Sequence, residues 1–101
     1  QFALVRELEI TPAALEDLKS IRAYTLETWG VEQEQAYLEG LWKRFGEIGA
    51  NPLLFRFRND LFQHCQLASE GKHVILFRVE GDALQIVRVL HSAMDFRRRF
   101  P

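Results

Sequence analysis

The chain reads as an α+β domain, a helical hairpin packed on an antiparallel sheet in the order β-α-α-β-β-β with a short C-terminal tail. Three observations predict this. Two stretches with helical apolar spacing lie back to back in the first half, linked by about two residues, so they must fold back on each other. Two runs rich in β-branched and apolar residues fill the last third around the turn Glu80-Gly81-Asp82-Ala83. The 101 residues carry 48% hydrophobic and 27% charged side chains, an ordinary globular balance, and suffice for one core spanning 1–101 but not for a second module.

Residues Phe2 to Ile10 read as a first strand through Leu4, Arg6, Leu8 and Ile10. Thr11-Pro12 then supplies an N-cap hydroxyl and a proline at the first helical position, where its missing N–H costs nothing. The stripe Leu15, Leu18, Ile21, Thr25 and Thr28 predicts the core face of a first helix, with Glu16, Asp17, Lys19 and Glu27 on the polar side and Gly30 ending it. A second helix follows from Leu38, Leu41, Trp42, Phe45 and Ile48. Gly46 and Gly49 weaken its end, and Asn51-Pro52 stops it. The irregular Pro52 to His64 segment reads as a loop, followed by a strand at about Cys65 to Ser69 and a turn at Glu70-Gly71. After Leu90, Ser92 is placed to cap a helical turn.

The hairpin of the last third has an unusual pattern. With Gly81-Asp82 as its loop, Val79 pairs with Leu84, Phe77 with Ile86 and Ile75 with Arg88, while Leu76–Val87 and Val74–Val89 fall on the opposite face. Both faces are apolar. The helices cover one, so the other is expected to meet a further cover such as a partner chain.

Composition excludes several classes. No apolar run approaches the ~20 residues of a membrane span. Phe2 to Val5 is too short for a secretory apolar segment. The single Cys65 forms no internal disulfide and no Cys/His spacing matches a structural zinc site, so a reducing cytoplasm and the absence of metal or cofactor are expected. A net charge of −1 argues against nonspecific nucleic-acid binding. Its distribution is uneven: five basic residues against nine acids in 1–50 and eight against five in 51–101, net −4 and +3. That asymmetry fits either Glu-rich solvated helix faces or a partner meeting the second half.

Several segments match a known pattern. They are Thr11-Pro12-Ala13-Ala14 with Asp17-Leu18; Ile21 and Tyr24 through Trp29-Gly30; Gln35-Ala36-Tyr37-Leu38; Asn51-Pro52; Gly71-Lys72-His73-Val74-Ile75-Leu76-Phe77-Arg78-Val79; and Ile86 through Asp95 with its Leu-His, small-residue, Met-Asp ending. Taken together they resemble the ParE toxins of the RelE/ParE superfamily of bacterial toxin–antitoxin systems, over almost the whole chain. The resemblance implies a cytoplasmic toxin that inhibits DNA gyrase. It also implies a hetero-oligomer with a ParD-like antitoxin, a ribbon-helix-helix protein whose helical arm would lie against the uncovered hairpin face. Where the family commonly places a Tyr-Arg or Leu-Arg pair, this chain has Cys65 and Gln66. The alternatives are a RelE-like ribosome-dependent mRNA interferase and a detoxified homologue that only binds antitoxin.

The chemistry candidates argue against an enzyme. A nuclease of the RelE type needs converging Lys/Arg with Tyr or His. Here Arg78, Arg88 and His91 are available, and the simplest register sends the two arginines to opposite faces. His91 and Asp95 stand four apart and would meet on a helical turn; the plainer reading is a strand-ending histidine and a helix-start acid. No nucleophile accompanies them, and Cys65 reads as a small buried hydrophobe. Phe55-Arg56-Phe57-Arg58 reads as a loop pinned by its phenylalanines in preference to a base-stacking element. Trp29, Tyr37 and Trp42 are assigned to packing of the helical hairpin. Arg97-Arg98-Arg99 is either a solvated tail or an anion-binding run anchored by Phe96 and Phe100. No catalytic residue is therefore expected. The antitoxin surface is assigned to Val74, Leu76, Arg78, Val87 and Val89, and the target surface to His91, Arg97, Arg98 and Arg99, with no direct nucleic-acid or membrane contact.

Overall fold

The computed structural model describes residues 6–100. The Phe2 to Val5 part of the expected first strand lies outside them. The elements are β1 (Glu7–Ile10), α1 (Pro12–Trp29), α2 (Val31–Ala50), a 3₁₀ turn at Pro52–Leu54, β2 (Arg56–Phe57), β3 (Gln66–Glu70), β4 (His73–Glu80), β5 (Ala83–His91) and a second 3₁₀ turn at Phe96–Arg99. The sheet runs β1-β5-β4-β3-β2. β1 pairs parallel with β5 and every other pairing is antiparallel, so the expected antiparallel sheet is a mixed one. The parallel pair is possible because the whole helical layer and three strands separate β1 from β5 in the chain.

Local chemistry sets the helix ends as expected. The Thr11 hydroxyl accepts from Ala14 N–H at 3.0 Å with Pro12 at the first position. Gly30 alone, at φ 92°, joins the two helices. Gly46 and Gly49 are carried inside α2, which ends at Asn51-Pro52. The buried face of α1 is Ala14, Leu18, Ile21 and Thr25; Leu15 is 45% exposed and Thr28 is also exposed, so the stripe is rotated from the expected one. On α2 the buried residues are Glu34, Leu41, Phe45 and Ile48. Glu34, buried against α1, pairs with Arg22 at 3.3 Å.

The hairpin turns at Gly81 (φ 57°) with Glu80 opposite Ala83, and Val79–Leu84 and Phe77–Ile86 pair as expected. Between Leu76 and Phe77 the register slips by a bulge, so Leu76 meets Arg88, Ile75 meets Val89, Val74 meets Leu90 and His73 meets His91. Val87 is the extra residue, and the expected Leu76–Val87, Ile75–Arg88 and Val74–Val89 pairs do not form.

Both faces of the hairpin are apolar and both are covered by the chain itself. Ile75, Phe77, Leu84, Ile86 and Val89 pack beneath the helices. On the other face Val74, Leu76 and Leu90 join Leu61, Cys65 and Leu67, with Phe62, Phe96 and Phe100 packed over them. The expectation of an external cover for this face is corrected: the 58–65 loop and the tail supply it. Phe62 and Phe100 meet at 5.1 Å, and Arg97 reaches Asp60 at 3.3 Å, so the tail is tied to the loop.

The link between layers is an ion pair at the free edge of β5. β1 ends at Ile10, opposite Ile86, leaving the β5 backbone unpaired beyond it. Thr11 Oγ1 donates to the Val87 carbonyl at 2.7 Å, and the Val89 N–H donates to Asp17 Oδ2 at 3.0 Å. Arg88 donates to both oxygens of the same carboxylate at 2.7 and 2.8 Å, which holds the guanidinium above its ordinary pKa. Asp17 thus belongs to the core edge, not to the polar face assigned from the sequence. With the two side chains only 14% and 21% exposed, Asp17→Ala strands both a guanidinium and a strand N–H, and should lower the unfolding free energy by about 3 kcal/mol. Urea denaturation checks this, and the Asp17→Ala/Arg88→Ala double variant should lose less than the sum of the single losses.

Candidate functional site

A cleft of about 890 Å³ opens between the helical hairpin and the ends of β4 and β5. Its apolar wall is Ile21, Tyr24 and Trp29 on α1 together with Val89, Leu90 and Met94. Tyr24 and Trp29 are 66% and 65% exposed, so Trp29 does not pack in the helical hairpin as expected; Trp42, at 48%, is also largely outside it. Two exposed aromatics on a concave apolar surface form an amphipathic contact area that solvent alone does not favour.

The rest of the lining is largely polar. Tyr37 from α2, Lys72 and His73 from the β3–β4 turn, His91 from the end of β5 and Arg99 from the tail all belong to it. Gly71 makes this polar part possible. At φ 56° it turns the chain, and a Cβ there would stand 2.6 Å from the Tyr37 ring. Tyr37 closes the turn: its oxygen lies 3.1 Å from the Glu70 carbonyl, receives the Lys72 N–H at 3.2 Å and sits 2.5 Å from His73 Nδ1. Burial raises the Tyr37 pKa, outweighing the Lys72 N–H bond, so the hydroxyl keeps its proton. The His73 and His91 rings stand edge to face at 5.5 Å. Burial, and then the neighbouring His91, lower the His73 pKa, while Asp17 opposes them.

The residues assigned from the sequence scatter. Val74 and Leu76 lie beneath the 58–65 loop and tail, and Val89 lies under the helices with one edge on the cleft. Arg78 and Val87 stay half-buried; Arg78 is taken by Gln85 at 2.8 Å and Glu80 at 3.8 Å. The five therefore do not form one open surface. Arg78 and Arg88 do not converge, but the expected reason is corrected: the bulge sets Arg88 opposite Leu76, on the face of Arg78, and it is their separate partners that keep them apart. Among the four target residues, His91 and Arg99 line the cleft, whereas Arg97 pairs with Asp60 and Arg98 with Asp95. His91 Nδ1 accepts from Ala93 N–H at 3.1 Å, and Asp95, not Ser92, caps the second 3₁₀ turn through Arg97 N–H. His91 and Asp95 thus have separate partners.

Cys65 is fully buried and its thiol is pushed up to about 12 by burial. Gln66 is buried too, and its amide donates to the Pro52 and Phe55 carbonyls at 2.7 and 3.0 Å. Gln66 therefore holds the chain that leaves α2, while Cys65 packs in the second core. Phe55 packs on Phe77, with Arg44 over its ring, while Phe57 is 51% exposed on the short edge strand β2; only one of the two phenylalanines pins the loop. Among the described residues no group of three His, Cys, Asp or Glu side chains is placed to hold a metal, and no helix is long and apolar enough to cross a membrane.

Comparison with known proteins decides the family. The description "ParE toxin of type II toxin-antitoxin system, parDE" matches residues 8–96. The chain belongs to the ParE toxin family. Toxin ParE1 of Mycobacterium tuberculosis is 34% identical over 90 residues, covering 88% of this chain and 92% of that protein. Toxin ParE1 of Caulobacter vibrioides is 30% identical, covering 92% and 96%. Among solved structures, the chromosomal ParDE toxin–antitoxin system of P. aeruginosa superposes with a TM-score of 0.72 at 17% identity, over 89% of this chain and 98% of that one. The RelBE2 toxin–antitoxin complex of M. tuberculosis gives 0.58 at 20%, over 86% and 98%. Both share the fold of this ParE-family toxin, two helices on a five-stranded mixed sheet.

The polar wall of the ParE-family cleft titrates. An unfolded histidine has a pKa near 6.5, and folding lowers that of His73. The unfolded chain then binds the proton more readily. Stability present above about pH 6.5 is lost as pH falls from there through the lower folded value. Asp60, whose pKa Arg58 depresses through a direct hydrogen bond, loses its contribution only in the acid carboxylate range. Urea midpoints should fall between pH 7.5 and 5.5, and His73→Gln should flatten that slope.

Proposed function

We propose that this toxin is neutralised by a ParD-like antitoxin whose amphipathic arm seats in the cleft between the helical hairpin and the β4–β5 ends, and that the released toxin inhibits DNA gyrase without catalysing a reaction. The cleft carries this reading. Tyr24, Trp29, Ile21 and Met94 give it an apolar wall of the kind that receives the apolar face of a helix, and Lys72 and Arg99 edge it with positive charge. The antitoxin surface is thereby moved off the hairpin face, which the chain covers itself, and keeps only Val89 from the original five.

The target surface is proposed on the tail. Arg97 and Arg98 are 74% and 84% exposed, while Phe96 and Phe100 anchor the turn on the second core. Three arginines on an anchored turn suit an acidic patch of gyrase. A non-catalytic mode is supported by the commitments of the reactive groups: Arg88 is bound bidentately to Asp17, Arg78 to Gln85 and Glu80, and Cys65 is buried.

Expression of the chain alone should arrest growth with filamentation and a DNA-damage response while transcripts stay intact, and the purified chain should inhibit gyrase supercoiling. Arg97→Ala/Arg98→Ala, which spares the cleft residue Arg99, should weaken arrest at least tenfold while leaving antitoxin binding. Cut transcripts would replace this reading with an mRNA interferase, and normal growth would mark a detoxified antitoxin binder.

A further inference from the structure

The Tyr37–His73 contact fixes which ring nitrogen carries the histidine proton. A tyrosine hydroxyl donates one hydrogen bond and accepts two. Tyr37 has three polar neighbours: the Glu70 carbonyl, the Lys72 N–H and His73 Nδ1. With His73 neutral and its Nδ1 unprotonated, the single hydroxyl proton must choose between Nδ1 and the Glu70 carbonyl. With Nδ1 protonated, Tyr37 accepts from His73 and Lys72 and donates to Glu70, and all three contacts are satisfied together. The neutral ring meets them with its one proton on Nδ1, so Nε2 is the nitrogen left to take a second, and in the cation its N–H becomes a donor too.

The surroundings withhold the anion that such a cation needs. Asp17, on α1, is occupied by Arg88 and the Val89 N–H. The Glu70 carboxylate lies toward α2, 4.0 Å from Arg44. His91 stands against His73 from β5, Lys72 adjoins it in the turn, and neither Lys72 nor Arg99 has an acidic partner among the described residues. Every group left uncompensated around His73 is therefore basic or neutral. The same cleft carries an apolar wall, which fits an amphipathic polypeptide better than a phosphate backbone.

We propose that the cleft binds an acidic side chain of the antitoxin arm against His73, and that binding loads a proton onto Nε2 of the ring whose Nδ1 is held by Tyr37. This rests on the antitoxin reading of the cleft and adds its chemistry: a carboxylate subsite whose occupation is coupled to proton uptake. In the free chain, burial and His91 keep His73 uncharged near neutrality. A bound carboxylate favours the charged ring and raises its pKa, so affinity increases as pH falls from the bound-state value toward the free-state value and levels off below it.

The test uses the intact chain and a full-length ParD-like ribbon-helix-helix antitoxin. Calorimetric titrations at pH 7.0 in buffers of different ionisation enthalpy measure protons taken up on binding. Net uptake is expected, with an affinity about threefold to tenfold higher at pH 6.0 than at 7.5. His73→Gln should bind with the uptake and pH dependence removed. Tyr37→Phe, which keeps the histidine and removes its hydroxyl partner, should reduce the uptake, and it carries the test if His73→Gln fails to fold. Replacing the acids of the arm by amides should abolish the uptake.

Binding without proton uptake, or uptake in the His73 and Tyr37 variants equal to that of the wild type, overturns the subsite while leaving the antitoxin reading intact. Uptake that survives amide replacement overturns the carboxylate. A short RNA that competes for the cleft with the same proton uptake assigns the subsite to phosphate instead. Absence of any binding by the wild-type chain overturns the antitoxin reading, and the subsite with it.

Discussion

The carboxylate of Asp17 is the point on which the two layers depend. It receives three donors, two from Arg88 and one from the Val89 backbone, and so does for the end of β5 what a neighbouring strand does for the rest. Without it, the strand edge beyond Ile10 would hold an unpaired N–H and a guanidinium in a half-buried position, each costing about as much as a lost hydrogen bond or more. With it, α1 is locked alongside β5 at one angle. The cleft is the space left when the helices, held at that edge, diverge from the ends of β4 and β5. A contact of folding thereby shapes the surface proposed for function.

The covering of the second sheet face follows a different economy. Leu61, Cys65, Leu67, Val74, Leu76 and Leu90 form a small core of their own, closed by Phe62, Phe96 and Phe100. Such a satellite core uses the loop and tail as a third layer, where a chain of this length has no further helix to offer. It also gives the arginine run a rigid base. Phe96 and Phe100 sit half-buried on either side of three exposed arginines, so the basic turn is presented by packing and not left as a loose end.

What was legible in the sequence was local. Thr11-Pro12, Asn51-Pro52 and Gly81 each announce a boundary through their own backbone chemistry, and the structure places the boundaries there. For the tail the sequence left a solvated and an anchored reading open, and the packing of Phe96 and Phe100 on the second core decides for the anchored one. The illegible features are all non-local. β1 gives no sign that its partner is β5, or that it runs parallel, because pairing depends on where the helices return the chain. Asp17 looked like another acid on a polar helix face, since its partner lies 71 residues away. Tyr37 and His73 are 36 apart and meet only through the turn at Gly71.

The bulge at Val87 shows how one residue redirects a functional reading. A hairpin counted out from Gly81 without interruption sets His73 against Leu90 and puts Val87 and Val89 on the outer face with Val74 and Leu76. Val87 has no glycine neighbour to mark the slip, and an apolar residue serves either register equally well. The slip turns Val89 inward to the core and brings His91 opposite His73. The outer face then closes under Leu90 and the tail, while the strand ends acquire a paired histidine wall beside Tyr37. The surface available to a partner moves from the middle of the sheet to its end, and changes from an apolar patch to a cleft with one apolar and one titratable side.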